Sequence, residues 1–452
     1  MAIFRKRFLY WLIKEYIRRF GKTILLFFAF GILVFFGLRL VFPYFYHKIP
    51  VGSREIIGFS GVFTTNTLPQ AVLDDVGQGL TSKLDDGTII PRIASSWKVE
   101  DDDKEYVFFL KKGVTFADGF PLTAEDIRYE FKDVTVERKD DYTISFKLKE
   151  SYAPFLTTVS KPFFKKGFVG VGNYRIKDIQ LNGNFVKSII LSSKTNPYVV
   201  KKYEFYSTED ALKLAFVLGE IQKARGLPHL GFKDTSISAF KGIVVEQFVD
   251  YSKLVSLFYN TQDQVLSDKR LRQGMSYALP SSFSFGERSF VPFPKKLWAY
   301  QKSVNEPEED VDRARVLLEA SAVATSSPQI VLELKTLPKY QEAARQVAEA
   351  WKRIGIETKI ETVDNIPSQF QIFLGDFNVP NDPDQYTLWH SNQDNNITRY
   401  KNLRIDKLLE DGRKTINSEE RKKIYADFLK YFLDDAPASF LYFPYRYNVT
   451  RS

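Results

Sequence analysis

Residues Lys111 to Asp126 read Lys-Lys-Gly-Val-Thr-Phe-Ala-Asp-Gly-Phe-Pro-Leu-Thr-Ala-Glu-Asp. Few chains need this order of parts. A strand carrying Val114 and Phe116 stops at Asp118-Gly119, a pair that tolerates the positive φ of a tight turn. Pro121 stiffens the exit. Thr123 then reads as a helix N-cap, with Asp126 three residues on as an acidic capping box. Upstream, Ala94, Ser96 and Trp97 precede an acidic turn, Asp101 to Asp103, and a strand from Tyr106 to Leu110. Turn and cap alone fit any strand-turn-helix unit; the full ordered string is far more specific.

Working outward, period-two and period-3.6 patterns alternate along the chain. Glu55 to Phe59 reads as a strand followed by a polar loop, Ser60 to Thr67. Residues 85–168 form an α+β stretch in which Ile144, Phe146 and Leu148 alternate as a strand. Thr208 caps a short helix with Leu212, Ala215 and Phe216 on one face, closed by Gly219. Ile330, Leu332 and Leu334 alternate; Tyr340, Ala343, Ala344, Val347, Trp351 and Ile354 recur at helical spacing; Gly355 stops the helix; Ile356, Thr358 and Ile360 alternate again. A final helix carries Ile424, Phe428 and Phe432. The fold class is therefore α/β, and 452 residues suffice for two or three domains.

Charge is distributed unevenly. Residues 1–52 hold nine of the 64 Lys and Arg and one of the 55 acids, whereas the remaining 400 carry 55 basic and 54 acidic groups. Eight of the nine net positive charges thus sit in the N-terminal segment, and the bulk has no basic footprint for nucleic acid. With no cysteine, disulfides, thiolate catalysis and Cys-held zinc are excluded, and the three histidines are far apart. No Gly-x-Ser-x-Gly or Gly-x-x-x-x-Gly-Lys-Ser/Thr occurs. The reading is of a non-enzyme with no metal or cofactor.

Ile24 to Leu38 is an unbroken run of apolar residues and glycines. Arg39 interrupts it and Leu40 to Tyr46 resume. As helix, Ile24 to Tyr46 spans roughly 34 Å, against a bilayer core of ~30 Å. Arg5, Lys6, Arg7, Lys14, Arg18, Arg19 and Lys22 place the N-terminus in the cytoplasm by the positive-inside rule. A cleaved signal peptide is the alternative, but bulky residues from Val41 to Tyr46 fill the position where small residues precede cleavage. Residues 1–22 are read as a basic amphipathic segment, either along the inner membrane surface or as an extension of the same helix. Residues 23–46 form the transmembrane helix in contact with lipid, and 47–54 a linker.

The ordered string from Ala94 to Asp126 resembles the substrate-binding proteins of peptide-type ABC transporters, the family of the dipeptide- and oligopeptide-binding proteins. Further matches follow in the family's order: Gly170-Val-Gly-Asn-Tyr174, Gly219-Glu220-Ile221 with Ala224 and Gly226, and Leu257-Phe-Tyr-Asn-Thr261. Leu266, Asp268, Arg270 and Arg272-Gln273 come next, then Arg353-Ile-Gly-Ile356, Asp382-Pro383-Asp384 and Trp389-His390-Ser391. The resemblance runs from about residue 55 to the end.

It implies a two-lobed periplasmic-binding-protein-like fold of type II, peptide-binding class. Lobe I would take residues 55–84 and 169–259, with an added subdomain at 85–168; lobe II would take 260–435; residues 436–452 would return to lobe I. It implies hinge closure through crossing strands near Tyr259 and Asn260, a peptide or similar solute as ligand, and an ABC permease as partner. Phe63, Thr64 and Thr65 fall on the first-lobe loop that faces the cleft in relatives. Trp389 either walls the cleft or fills the second core.

In relatives an acid just before the Asp-Pro holds the peptide's ammonium group. Three residues before Asp382 stands Val379; Asp376 is the nearest acid and is taken as the binding candidate. Asp382 and Asp384 are read as a turn bonded to its own backbone. Pro280 and a 281–290 segment that reads as an abbreviated loop depart from the pattern. With Val379, they also suit an anchored extracytoplasmic sensor or scaffold that keeps the fold without transport.

Overall fold

The computed structural model describes residues 6–46, 53–165, 167–302, 306–323 and 329–451. One helix, α1 (Lys6–Tyr46), runs without a break across residues 22 and 23. The basic and apolar segments are thus one rod of about 60 Å. Within it Ile13–Gly37 is long and apolar enough to cross a bilayer, and none of it is buried against the rest of the chain. Residues 47–52 of the expected linker lie outside the described residues, and Ser53 and Arg54 already belong to the first strand.

Lobe I opens with β1 (Ser53–Ser60), α2 (Gln70–Val76) and the hairpin β2 (Thr81–Lys83) and β3 (Ile89–Pro91). Then comes the subdomain, an antiparallel sheet of β4 (Ala94–Glu100), β5 (Glu105–Leu110), β6 (Val134–Asp140) and β7 (Thr143–Leu148), ordered β4-β5-β7-β6. The short α3 (Phe155–Thr158) follows. Tyr106, Phe108, Phe116, Phe146 and Phe155 are buried together there.

The Lys111–Asp126 stretch forms a small hairpin within this unit. Phe116 N–H donates to Phe120 O and Leu122 N–H to Val114 O, each at 2.9 Å, and Gly119 takes φ +88°. The expected helix after Thr123 is a single 3-10 turn, Ala124–Asp126, although the Asp126 carboxylate accepts the Thr123 N–H at 2.9 Å. Ile127 and Tyr129 turn inward while Arg128 and Glu130 turn out. That period of two draws the chain out of the helix. Tyr129 fixes it by donating to the carbonyls of Val159 and Lys161.

The chain re-enters lobe I through Gly170 and Gly172. A Cβ would stand 2.0 Å from Val76 O at the first and 2.3 Å from Asp75 O at the second, so only glycine fits beside the end of α2. No helix N-terminus follows; β8 (Tyr174–Asn182), β9 (Phe185–Ser193) and β10 (Val199–Tyr206) do. Next are α4 (Glu209–Leu218), β11 (Lys223–Leu227), the two-stranded β12 (Gly231–Phe232) and β13 (Thr235–Ser236), and β14 (Ile243–Val249). As its sequence requires, α4 starts with the Thr208 side chain accepting the Ala211 N–H and ends at Gly219 with φ +81°.

Lobe II holds β15 (Lys253–Tyr259), α5 (Lys269–Tyr277), β16 (Gly286–Arg288), α6 (Val311–Glu319), β17 (Ile330–Thr336), α7 (Gln341–Lys352), β18 (Ile356–Thr362) and β19 (Ile372–Asn378). The short α8 (Tyr386–Trp389) and the longer α9 (Leu403–Lys414) and α10 (Ser418–Asp435) complete it. β17 and β18 pair in parallel across α7. The 281–290 segment is not merely a loop: β16 within it pairs with Tyr442–Pro444. Arg272 clamps α5 to the end of α10, donating to the carbonyls of Asp435 and Ala436 at 2.6 and 3.0 Å.

One long strand, β20 (Ala438–Arg451), ties the lobes together. It pairs with β15 through Ala438–Tyr442 and with β14 through Tyr445–Arg451, and β11 lies on its other side. A single sheet therefore runs β18-β17-β19-β15-β20-β11-β1-β10-β9-β8. The chain crosses between lobes twice, at Asp250–Ser252 and at Pro444–Tyr445. On this pairing residues 253–259 go with β19 and Tyr445–Arg451 with β14, whereas the sequence reading set the lobe boundaries at residues 259 and 436. Tyr259 and Asn260 sit at the far end of β15 from the crossing. There Tyr259 is fully buried with its hydroxyl 2.7 Å from Ser439 Oγ, and Asn260 donates to Phe370 O.

Candidate ligand-binding site

The strip Asp376–Asn381 leaves the end of β19 beside the first crossing. Lys253 lies opposite Asn378 and Val255 opposite Asp376, and Val379 N–H donates to Ser252 O at 2.9 Å. Two hollows adjoin this strip. The first, about 420 Å³, is walled by Phe258, Phe373, Phe377, Leu388 and Trp389, with Lys253, Asp376 and Asn378 at its polar side. The second, about 250 Å³, lies between the β2–β3 hairpin, the crossing and lobe II, lined by Lys83, Tyr251, Lys296, Val379 and Asn381. A groove of about 570 Å³ between α7 and β18 is larger, but it lies at the outer edge of lobe II and has no aromatic wall.

Asp376 is committed inside the protein. Its carboxylate accepts from Lys339 at 2.6 Å, Tyr340 Oη at 2.7 Å and Lys253 at 2.9 Å. Its side chain is 8% exposed. Burial opposes ionisation, but Lys339, Tyr340 and Lys253 outweigh it and hold the carboxyl down at about 2. A carboxylate already neutralised by two lysines has little left for a ligand's ammonium group. Val379 lines the second hollow.

Trp389 belongs to the core of lobe II. It is 2% exposed, stacked near Phe258 and edge-on to Phe432, with Nε1–H donating to Gln385 Oε1 at 3.0 Å. Its remaining face closes the 420 Å³ hollow. The loop carrying Phe63, Thr64 and Thr65 follows the C-terminal end of β1, where parallel strands place ligands. Phe63, however, packs back on Phe205, and Thr64 is turned onto Thr67. No cavity described above includes any of the three.

Asp382 and Asp384 form the expected turn: Asp384 N–H donates to Asp382 Oδ1 at 3.0 Å and Tyr386 N–H to Asp384 Oδ1 at 3.1 Å. Sequence reasoning missed their partners. Arg421 grips Asp382 and Arg413 grips Asp384, all four side chains mostly buried. These pairs pin the turn to α9 and α10, which rules out a free acid-base pair. His390 stacks on Tyr386 and bonds Glu410 through Nε2 at 3.3 Å. Among the described residues no three His, Cys, Asp or Glu side chains gather as metal ligands.

Lys83, Tyr251 and Lys296 also went unread in the sequence. Lys83 Nζ reaches across the lobes to donate to Asn381 Oδ1 at 2.7 Å, and Lys296 Nζ lies 4.1 Å from the Tyr251 ring centre. The lobes touch nearby as well: Trp298 N–H donates to Asp86 O and Ala153 N–H to Arg413 O, both at 2.8 Å.

Comparison with known proteins agrees with this architecture. The chain is 23% identical over 414 residues to the probable D,D-dipeptide-binding periplasmic protein DdpA of Escherichia coli K12, covering 77% of this chain and 78% of that protein. It is 25% identical over 426 residues to the oligopeptide-binding protein AppA of Bacillus subtilis 168, covering 78% of each. The fold superposes on the ABC transporter substrate-binding protein CtaP of Listeria monocytogenes with a TM-score of 0.74 at 21% identity, covering 88% of this chain and 94% of that one. It also superposes on NikZ of Campylobacter jejuni, solved with Ni(L-His), with a TM-score of 0.69 at 18% identity over 88% and 94% of the two chains. The sequence model described as "Bacterial extracellular solute-binding proteins, family 5 Middle" matches residues 88–398, and the chain belongs to that family.

Proposed function

We propose that this solute-binding protein captures a peptide or peptide-like solute between its lobes and delivers it to an ABC permease, held at the membrane by α1. The pairing of an aromatic hollow with a polar one on a single strip beside both crossings carries this reading. An extended ligand laid along Asp376–Asn381 meets backbone groups for sequence-tolerant hydrogen bonding and Trp389, Phe258 and Phe377 for apolar burial. The names of the curated relatives point the same way.

Closure is a hinge motion at Asp250–Ser252 and Pro444–Tyr445. Pro444 has no N–H, so it offers the second crossing one hydrogen bond fewer than its neighbours. Phe63, Thr64 and Thr65 form the facing edge of lobe I once it closes. Asp376 shapes the polar side of the hollow through Lys253 and does not hold an amine. The exposed apolar stretch of α1 spans the bilayer once, N-terminus inside, and raises the protein's concentration at its permease.

Tryptophan fluorescence of the full chain in detergent, titrated with a random tripeptide pool, tests the reading, since Trp389 walls the hollow. Saturable change supports it. A flat response to the pool excludes peptide capture and favours an anchored sensor or scaffold, a reading to which the engaged Asp376 and the apolar Val379 also lend themselves.

A further inference from the structure

We propose that the 250 Å³ hollow is a carboxylate site, in which Lys83 and Lys296 receive the anionic end of the ligand. The proposal rests on the reading of the cleft as a peptide site and adds the ligand's chemistry and direction. Two ammonium groups and one carboxylate, Asp85, line the hollow. Asp85, on the rim, favours the charged form of Lys83, while two further acids are engaged elsewhere: Asp382 by Arg421, and Asp250 by Ser252 N–H at 3.1 Å and by Arg446 at 3.6 Å. Neither Lys83 nor Lys296 has a carboxylate within ion-pair distance among the described residues; their contacts are Asn381 and the Tyr251 ring.

Asn381 accepts from Lys83 through Oδ1, which leaves its amide N–H groups to donate to an anion. Burial of the ammonium end, and then the like charge of Lys296, push Lys83 below its ordinary range, a tension that a bound anion relieves. Because Lys83 stands on lobe I while Lys296 and Asn381 stand on lobe II, an anion between them favours the closed arrangement. The strip's own acid, Asp376, is held by Lys339 and Lys253, so the strip itself offers the ligand's amine no charged partner.

The test uses the full chain in detergent and tripeptides of Ala, Leu and Phe in three forms: free, N-acetylated and C-amidated, with a fourth, C-amidated set containing Glu. Affinity is read by tryptophan fluorescence. The expected result is at least about tenfold weaker binding of the amidated set, the scale of a lost charge-assisted hydrogen bond, and little change on acetylation. Lys83→Gln and Lys296→Gln, both at exposed stems, should each weaken the free peptides and leave the amidated ones unchanged. Glu-containing amidated peptides that bind like the free set would support the site with a side-chain carboxylate as its source. Amidated peptides binding as tightly as free ones, or variants that weaken both sets equally, overturn the carboxylate site but not solute binding. If no set binds, both fall.

Discussion

Asp376 shows how one carboxylate is engaged by its own fold, held by Lys253, Lys339 and Tyr340. Its ordinary value lies near 3.9 and the folded protein holds it at about 2. A depressed carboxyl contributes stability that is fully present above the unfolded value and fades as pH falls through the folded one. Asp376→Asn should therefore cost about 2.5 kcal/mol at pH 7, from a shift of about two pH units. The cost should shrink between pH 4 and 2, read as converging melting temperatures of variant and parent. Arg421→Met leaves Asp382 buried without its partner and should cost about 3–5 kcal/mol, measured by denaturant unfolding. At this scale the sequence was only partly informative. Asp376 and Trp389 stood out by their offset from the Asp-Pro pair, and both border one hollow. Lys83 and Lys296 did not, because one ends a three-residue strand, the other sits in a surface turn, and they acquire meaning only when residues more than 200 apart are folded together.

Among the elements, local chemistry decided every piece that its neighbours did not override. Thr208 and Gly219 bounded α4, and the alternation from Thr143 to Leu148 gave β7 at those limits. Thr123 and Asp126 made their capping contact yet nucleated only three residues, since Ile127 and Tyr129 gain more in the subdomain core than a helix would allow. The Gly170-x-Gly172 pair illustrates the converse: its role is steric, not phosphate binding. Gly172→Ala sets a Cβ against the rigid backbone of Asp75 and Val76. It should destabilise lobe I by about 1–3 kcal/mol, seen as a lower denaturant midpoint. The lobe crossing is not legible in the sequence for a related reason. β15 is one continuous apolar strand, so nothing within Lys253–Tyr259 marks which end faces lobe I; that is set by pairing with β20.

Across the whole molecule, β20 makes two lobes into one interrupted sheet, and the flanking segments at Asp250 and Pro444 are the natural place for motion. The α1 helix stands apart from this machinery: none of its apolar span is buried on the lobes. Removing residues 1–52 should leave the melting temperature of the remainder within about a degree or two, by circular dichroism. The central claim is that the lobes close on a solute at these crossings. The chain has no cysteine, so spin labels can be placed at will. Labels at Val62→Cys on lobe I and Leu403→Cys on lobe II, both exposed, report the interlobe distance in the full chain. The account predicts that the tripeptide pool shifts the distance distribution to a shorter and narrower one. A distribution unchanged at saturating peptide would contradict it.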